Sequence, residues 1–311
     1  MVSRLFLSLV LFFLLCPGGS PVGAAEGKIA VSLGILPVID TLPLIVATER
    51  GFFEEEGVAV KLLYFTSALE RDVALQSGRL DAYFGDLLNT LLLINSGQHL
   101  SLVTVVVRTD PRQRMFALLA SPRSRISRLG DLGGGEVAIS RASVVEYLLD
   151  RMVAQSGAQA VEIKRLEVRP IPIRYQMLMA GQVKAALLPE PLAAKAELEG
   201  ARVLADDRTL DITLTVVALK SEVLRRHPGL SARFRRAYKR AVEAIDAHPE
   251  SFIDLLAERT QFPASLKGRF KVPVFPNPEK PRKEDVLSIE EWLLKRGLIS
   301  GATPYETMMA P

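Results

Sequence analysis

Apolar and polar positions along this chain fall into two alternating rhythms. From Lys28 onward, short β-rich apolar runs are followed by stretches at helical spacing, most of them closed by a glycine. Lys28–Leu33 reads as a strand and Thr41–Arg50 as a helix stopped by Gly51. Val58–Phe65 is a second strand, Ala68–Ser77 a helix stopped by Gly78, and Leu80–Phe84 and Leu102–Val107 are further strands. The pattern then starts again. Glu136–Ser140 reads as a strand, Val144–Ser156 as a helix before Gly157, Val161–Val168 as a strand, Tyr175–Ala180 as a helix before Gly181, and Val183–Leu188 as a strand. Such alternation predicts α/β architecture, with mainly parallel sheets flanked by helices.

The two series can be laid on each other. A shift of 103 positions carries Val58–Asp86 onto Val161–Pro189 without a gap, and seven of the 29 positions are identical, Arg71 and Arg174 among them. We read two lobes on one plan, and Arg71 as a residue of a helix surface, which makes its counterpart Arg174 the weakest of the candidate ligand contacts below. No Gly/Ser linker separates the lobes, so extended segments near Thr109–Met115 and Asp211–Val217 are expected to join them. The last third is mainly helical: Ala232–Ala247 has apolar residues near helical spacing, Pro249 opens a helix to Arg259, four prolines between Pro273 and Pro281 mark an extended loop, and Glu284–Arg296 is a final helix.

In open α/β sheets, ligands bind beyond the carboxyl ends of the strands. That rule selects the loops Gly34–Thr41, Thr66–Leu69, Gly85–Leu88, Ser140–Ser143, Arg169–Arg174 and Pro189–Pro191. Ser67-x-x-Glu70 and Ser143-x-x-Glu146 spell capping boxes, and Asp40-Thr41 with Pro43 opens a third helix. A helix start offers free N–H groups and partial positive charge, so several converging on one cleft would receive an anion. For each serine taken singly, plain capping is the simpler role. The charges are mixed: Asp40, Asp86 and Glu190 are acidic, Arg141 and Arg174 basic. Three carboxylates suit a small inorganic anion poorly, because an unpaired buried charge is costly. A zwitterion or a cationic heterocycle fits better, with Arg141 and the Ser143 helix start on the acid group and Asp40 or Asp86 on the amine. The candidate ligand contacts are therefore Asp40, Thr41, Ser67, Asp86, Ser140, Arg141, Ser143, Arg174 and Glu190. For each charged one the alternative is salt bridging within the protein. Tyr64, Phe65 and Tyr83 could stack on a ring or simply fill the core.

Composition narrows the class. Charged residues make up 24% and apolar residues 49% of 311 positions, the balance of a soluble globular protein. The formal charge of +4 is scattered among acids, and no nucleic-acid-binding fingerprint is present, so a nucleic-acid partner is not expected. Arg4, the apolar run Leu5–Leu15 and the small residues Val22-Gly23-Ala24 describe a secretory leader over residues 1–24. Its apolar run is too short to span a bilayer. The single cysteine, Cys16, stands where a bacterial lipoprotein carries its lipid, but Leu14-Leu15 depart from the usual lipobox, so cleavage near Ala24 is preferred. Gly133-Gly134-Gly135 precedes a strand and lacks the Lys-Ser/Thr of a phosphate loop. His99, His227 and His248 are far apart, so neither a metal site nor a catalytic triad is proposed and no cofactor is called for.

Four motifs carry a family resemblance. Pro43–Ala47 with Glu49–Val58, Gln76–Ala82, Asp131-Leu132 with Val137–Ser140, and Leu188–Pro191 together resemble the nitrate/sulfonate/taurine (SsuA-like) solute-binding proteins over nearly the whole mature chain. The resemblance implies a type II periplasmic-binding-protein fold. Residues 25–112 and 218–311 would form the first lobe and residues 113–217 the second, with the ligand cleft between them. It also implies a non-enzymatic, monomeric component of an ABC importer at the outer face of the inner membrane. Such a protein captures a small solute by closing and delivers it to a permease and its ATPase. An aliphatic sulfonate needs anion donors but no carboxylates, so Asp40 and Glu190 stand against that ligand. Two alternatives share the fold: a sensor module for a membrane receptor, and enzymes resembling those of thiamine-pyrimidine or menaquinone formation.

Overall fold

The computed structural model describes residues 27–157, 162–260 and 262–311. The expected leader and Cys16 lie outside them. The chain opens with β1 (Ile29–Ile35), α1 (Leu42–Glu49), α2 (Phe52–Glu55), β2 (Val58–Tyr64), α3 (Ala68–Gln76), β3 (Ala82–Asp86), α4 (Leu87–Asn95) and β4 (Leu100–Arg108). It continues through β5 (Phe116–Ala120), β6 (Glu136–Ile139), α5 (Val144–Gln155), β7 (Lys164–Glu167), α6 (Ile171–Ala180), β8 (Ala185–Pro189), α7 (Leu192–Leu198) and β9 (Arg202–Asp206), then returns as β10 (Thr213–Lys220). The remainder is α8 (Ser221–Arg226), α9 (Leu230–Ala247), α10 (Ile253–Arg259), α11 (Lys283–Lys295) and α12 (Tyr305–Met308).

Two five-stranded sheets result, ordered β2-β1-β3-β10-β4 and β7-β6-β8-β5-β9. They have one topology. In the first, β1 runs parallel to β2 and β3, while β10 is antiparallel to both its neighbours. In the second, β6 runs parallel to β7 and β8, while β5 is antiparallel to both of its neighbours. The antiparallel strand in each sheet is the one arriving from the other sheet. It enters at the carboxyl edge of its neighbours and must run away from that edge, which fixes its direction. The internal overlay is realised in space: shifted by 103 positions, Ala82–Asp86 is Ala185–Pro189, and Ala68 and Ile171 both open their helices.

The last third of the chain covers the first sheet. Helix α9 buries Phe234, Ala237, Tyr238, Ala241, Val242 and Ile245 at spacings of three and four, a stripe that packs on α1 and α2. Phe234 meets Phe53 with ring centroids 4.8 Å apart. Strand β4 lies at a sheet edge yet is buried almost throughout, because Val105 N–H donates to Glu279 and Met309–Ala310 pairs alongside Leu102. An otherwise open edge is thereby closed to a second chain.

Two expectations need correction. The expected connector Asp211–Val217 is mostly strand: β10 starts at Thr213, so a boundary at 217 falls inside the first sheet and the crossing ends by Ile212. Arg71 is not a surface residue; it is 1% exposed, and its guanidinium lies beneath α3.

Candidate ligand-binding cleft

Register alone places the carboxyl ends of both sheets at the crossing. Asp86, the end of β3, sits opposite Thr215 near the start of β10. Pro189, the end of β8, sits opposite Phe116, the start of β5. The two crossings are tied to each other: Thr109 N–H donates to the Ile212 carbonyl (2.9 Å) and Ile212 N–H to the Thr109 hydroxyl (2.8 Å). Helices α1 and α3 to α7 follow parallel strands, so their N-termini lie at this same end.

Capping is observed at both serines. Ser67 Oγ accepts from Glu70 N–H (3.2 Å), and the Glu70 carboxylate accepts from the N–H and hydroxyl of Thr66. Ser143 Oγ accepts from Val145 N–H (3.2 Å) and donates to the Ser140 carbonyl (2.7 Å), while Glu146 accepts from Ala142 N–H. Ala142 takes a positive φ of 50°, which turns the chain from β6 into α5. Asp86 caps α4 by accepting from Asn89 N–H at 2.7 Å. Burial nevertheless raises the pKa of its carboxyl.

The first sheet's edge is acidic, with one neutralised cation. Asp40 is half-buried in the turn after β1 and accepts from the Thr215 hydroxyl at 3.3 Å. Burial outweighs that bond and pushes its carboxyl up to about 6. The neighbouring Thr41 is fully buried, and its hydroxyl is spent on the Val38 carbonyl. Arg71 donates to the Phe84 carbonyl (2.8 Å), the Tyr83 hydroxyl (2.6 Å) and Asp72 (3.0 Å), and its Cζ lies 4.2 Å from the Tyr83 ring centroid. Asn89 joins the same group through Tyr83 and Asp72. Tyr83 is thus a core residue that orients Arg71. Phe65 is buried as well, while Tyr64 is 45% exposed.

The second sheet's edge carries two arginines among glutamates that are already engaged. Arg141 is exposed; its N–H donates to Glu167 (2.7 Å) and its Nη2 to the Arg165 carbonyl (2.7 Å). Ser140 is half-buried beside it. Arg174 is 1% exposed, its Nη1 donates to the Val168 carbonyl (3.0 Å), and its buried Nε has no partner. Burial lowers its pKa to about 10, so it stays charged at neutral pH. Glu190, by contrast, is committed within the protein. It pairs with Arg114 at 2.7 Å and accepts from Ala194 N–H, tying the end of β8 to the start of β5.

The structure therefore brings the selected loops to the crossing between the sheets, with Asp40, Asp86 and the paired Arg71 on the first sheet's side and Arg141, Arg174, Glu167 and the paired Glu190 on the second's. It also shows residues that loop position did not reveal: Thr215, Asp72, Asn89 and Arg114. All lie on elements that had no place in the alternation or no recognised partner. The identity of Arg71 with Arg174 under the internal overlay pointed the wrong way: reading Arg71 as a surface residue ranked Arg174 last, whereas both are 1% exposed.

Residues 39–252 match the NMT1/THI5-like family. A putative aliphatic sulfonates-binding protein of Bacillus subtilis (strain 168) is 22% identical over 264 residues, covering 83% of this chain and 78% of that one. Among solved structures, the periplasmic aliphatic sulphonate binding protein SsuA of Escherichia coli superposes with a TM-score of 0.77 at 19% identity, over 91% of this chain and 92% of that chain. The desulfurization enzyme DSZB superposes with a TM-score of 0.66 at 18% identity, over 91% and 97%. With two sheets of the periplasmic-binding topology and a family match over more than half of its length, the chain belongs to the NMT1/THI5-like family.

Proposed function

We propose that this protein is the extracytoplasmic substrate-binding component of an ABC importer. It captures a small polar or zwitterionic organic solute by lobe closure and presents it to a membrane permease with its ATPase. The observation that carries this reading is the pair of sheets of identical topology whose carboxyl edges meet at a double crossing, with the buried carboxyl of Asp40 on one side and the incompletely paired guanidinium of Arg174 on the other. A solute touching both edges favours the closed arrangement by its differential affinity, and closure is then a shift of population. Asp40 and Asp86 supply the pole for an amine or protonated ring. Ser67, Ser140, Arg141, Ser143 and Arg174 supply the pole for an acid group. Thr41 and Glu190 shape the site, since their polar atoms are spent on Val38 and on Arg114.

DSZB keeps an enzymatic reading alive, because an enzyme shares this fold. Binding is favoured by the relatives named as binding proteins and by the position of the histidines: His99, His227 and His248 all lie outside the loops of the cleft. The test is native mass spectrometry of residues 25–311, followed by thermal unfolding against small metabolites. A co-purified small mass, or an unfolding temperature that rises and saturates with one unmodified compound, supports capture. Chemical conversion of that compound by the protein would move the assignment to an enzyme. No retained mass and no response would contradict the reading.

A further inference from the structure

The internal overlay sets up a controlled comparison within one molecule. Arg71 and Arg174 occupy matching positions on α3 and α6, each 1% exposed. Arg71 is neutralised: Asp72, Tyr83 and the Phe84 carbonyl take its N–H groups, and Asn89 braces the same cluster. Shifted by 103 positions, Asp72 becomes Tyr175, Tyr83 becomes Ala186 and Asn89 becomes Leu192. Every polar side chain that serves Arg71 is missing around Arg174. Tyr175 turns its hydroxyl elsewhere, between Glu199 and Lys195. The one acid whose charge reaches Arg174 is Glu167, which is already held by Arg141 N–H and the Arg169 side chain.

A buried guanidinium without a counter-ion is expensive, and among the described residues Arg174 bonds only the Val168 carbonyl. That carbonyl lies one residue beyond β7, and Val168 N–H donates to Ile139 at the end of β6, so the guanidinium sits at the carboxyl edge of the second sheet. The first turn of α6 begins there, and no side chain caps it. Resting on the solute-binding reading, we infer that Arg174 is the anchor for an oxyanion group of the solute, a carboxylate, sulfonate or phosphonate, held by the second lobe. Arg141 adds charge to this pole without anchoring it, because its guanidinium is exposed and its Nη2 is engaged on the Arg165 carbonyl. The solute supplies the counter-charge that Asp72 supplies to Arg71, and its arrival satisfies Nε. An acid group at this edge and an amine at Asp40 would span the cleft.

The test uses five small probes at constant ionic strength: propionate, ethanesulfonate, ethylphosphonate, uncharged propionamide and ethylammonium. Thermal unfolding of the unaltered protein should rise saturably with at least one of the three oxyanions and not with propionamide; which one responds distinguishes their sources. Arg174→Gln should weaken that response by about tenfold or more, and Arg174→Lys by less, since lysine keeps the charge without the fork. Tyr175→Asp places a carboxylate where Asp72 stands beside Arg71, so it should abolish the oxyanion response in a protein that still folds. Should Arg174→Gln not fold, Tyr175→Asp decides alone. An oxyanion response that survives Arg174→Gln, or Tyr175→Asp, overturns the inference. So does a response confined to propionamide or ethylammonium, although that result leaves the binding-protein reading intact. A protein that responds to no probe and retains no co-purified mass contradicts both.

Discussion

Asp207 is one buried carboxyl through which the stability of this fold depends on pH. It is fully buried beside the start of β5, where Oδ1 accepts from Met115 N–H (3.0 Å) and Phe116 N–H (3.2 Å), while Oδ2 has no partner. Burial pushes its carboxyl up to about 7, against about 4 in an unfolded chain. The folded protein thus holds this proton over a window in which the unfolded chain releases it. The stability it contributes is complete below about 4 and is lost as pH rises to about 7. Asp40, at about 6, acts with the same sign over a narrower window. Asp207→Asn keeps the acceptor for both N–H groups and cannot ionise. Urea unfolding from pH ~4 to pH ~7 should show the unaltered protein losing stability relative to the variant as pH rises. The difference should be at most about 4 kcal/mol. Equal slopes would show that Asp207 is ionised in the fold.

At the scale of elements, the ligand edge is built from helix starts, and these were the most legible parts of the sequence. Both Ser-x-x-Glu boxes cap as expected, with one difference in detail: Glu70 and Glu146 reach back to Thr66 and Ala142, one residue before each serine. Ser143 should matter beyond its own turn, because its hydroxyl also fixes the Ser140 carbonyl at the end of β6. Ser143→Ala should cost about 1 kcal/mol in denaturant unfolding, and an unchanged midpoint would show that the cap contributes nothing. The strands next to clear helices were also readable. Harder were β5 and β9, short and flanked by loops, and α4, whose Leu87–Asn95 run follows β3 without a break and has little polar face to mark its period. Strand β10 is buried at nearly every position, its threonines included, and periodicity could not separate a buried strand from an extended connector. The site was legible as a set of loops. Which charges stay free was not, because Glu190–Arg114 and Arg71–Asp72 form only once the sheets are assembled.

On the scale of the whole molecule, closure depends on how few connections join the two sheets. The crossings at Thr109 and Ile212 are bonded to each other, and a charged clasp surrounds them: Arg282 reaches Asp211 and Asp285, and Asp285 also takes Arg108 and the Thr213 hydroxyl. Away from the crossings, α11 packs against α4 and also reaches α5, where Trp292 donates to Asp150 (2.8 Å) and meets Tyr147 edge-on at 5.7 Å. The C-terminal helices thus belong with the first sheet by packing while touching the second, a tie that a reading of residues 218–311 as part of one lobe did not anticipate. On the proposed function, relative motion of the sheets about the paired crossings would turn two half-sites into one enclosed site. Small-angle X-ray scattering measures it most directly, with the solute found by mass spectrometry or thermal unfolding added to saturation. A radius of gyration that falls on saturation is predicted, whereas a bound solute that leaves it unchanged would contradict capture by closure.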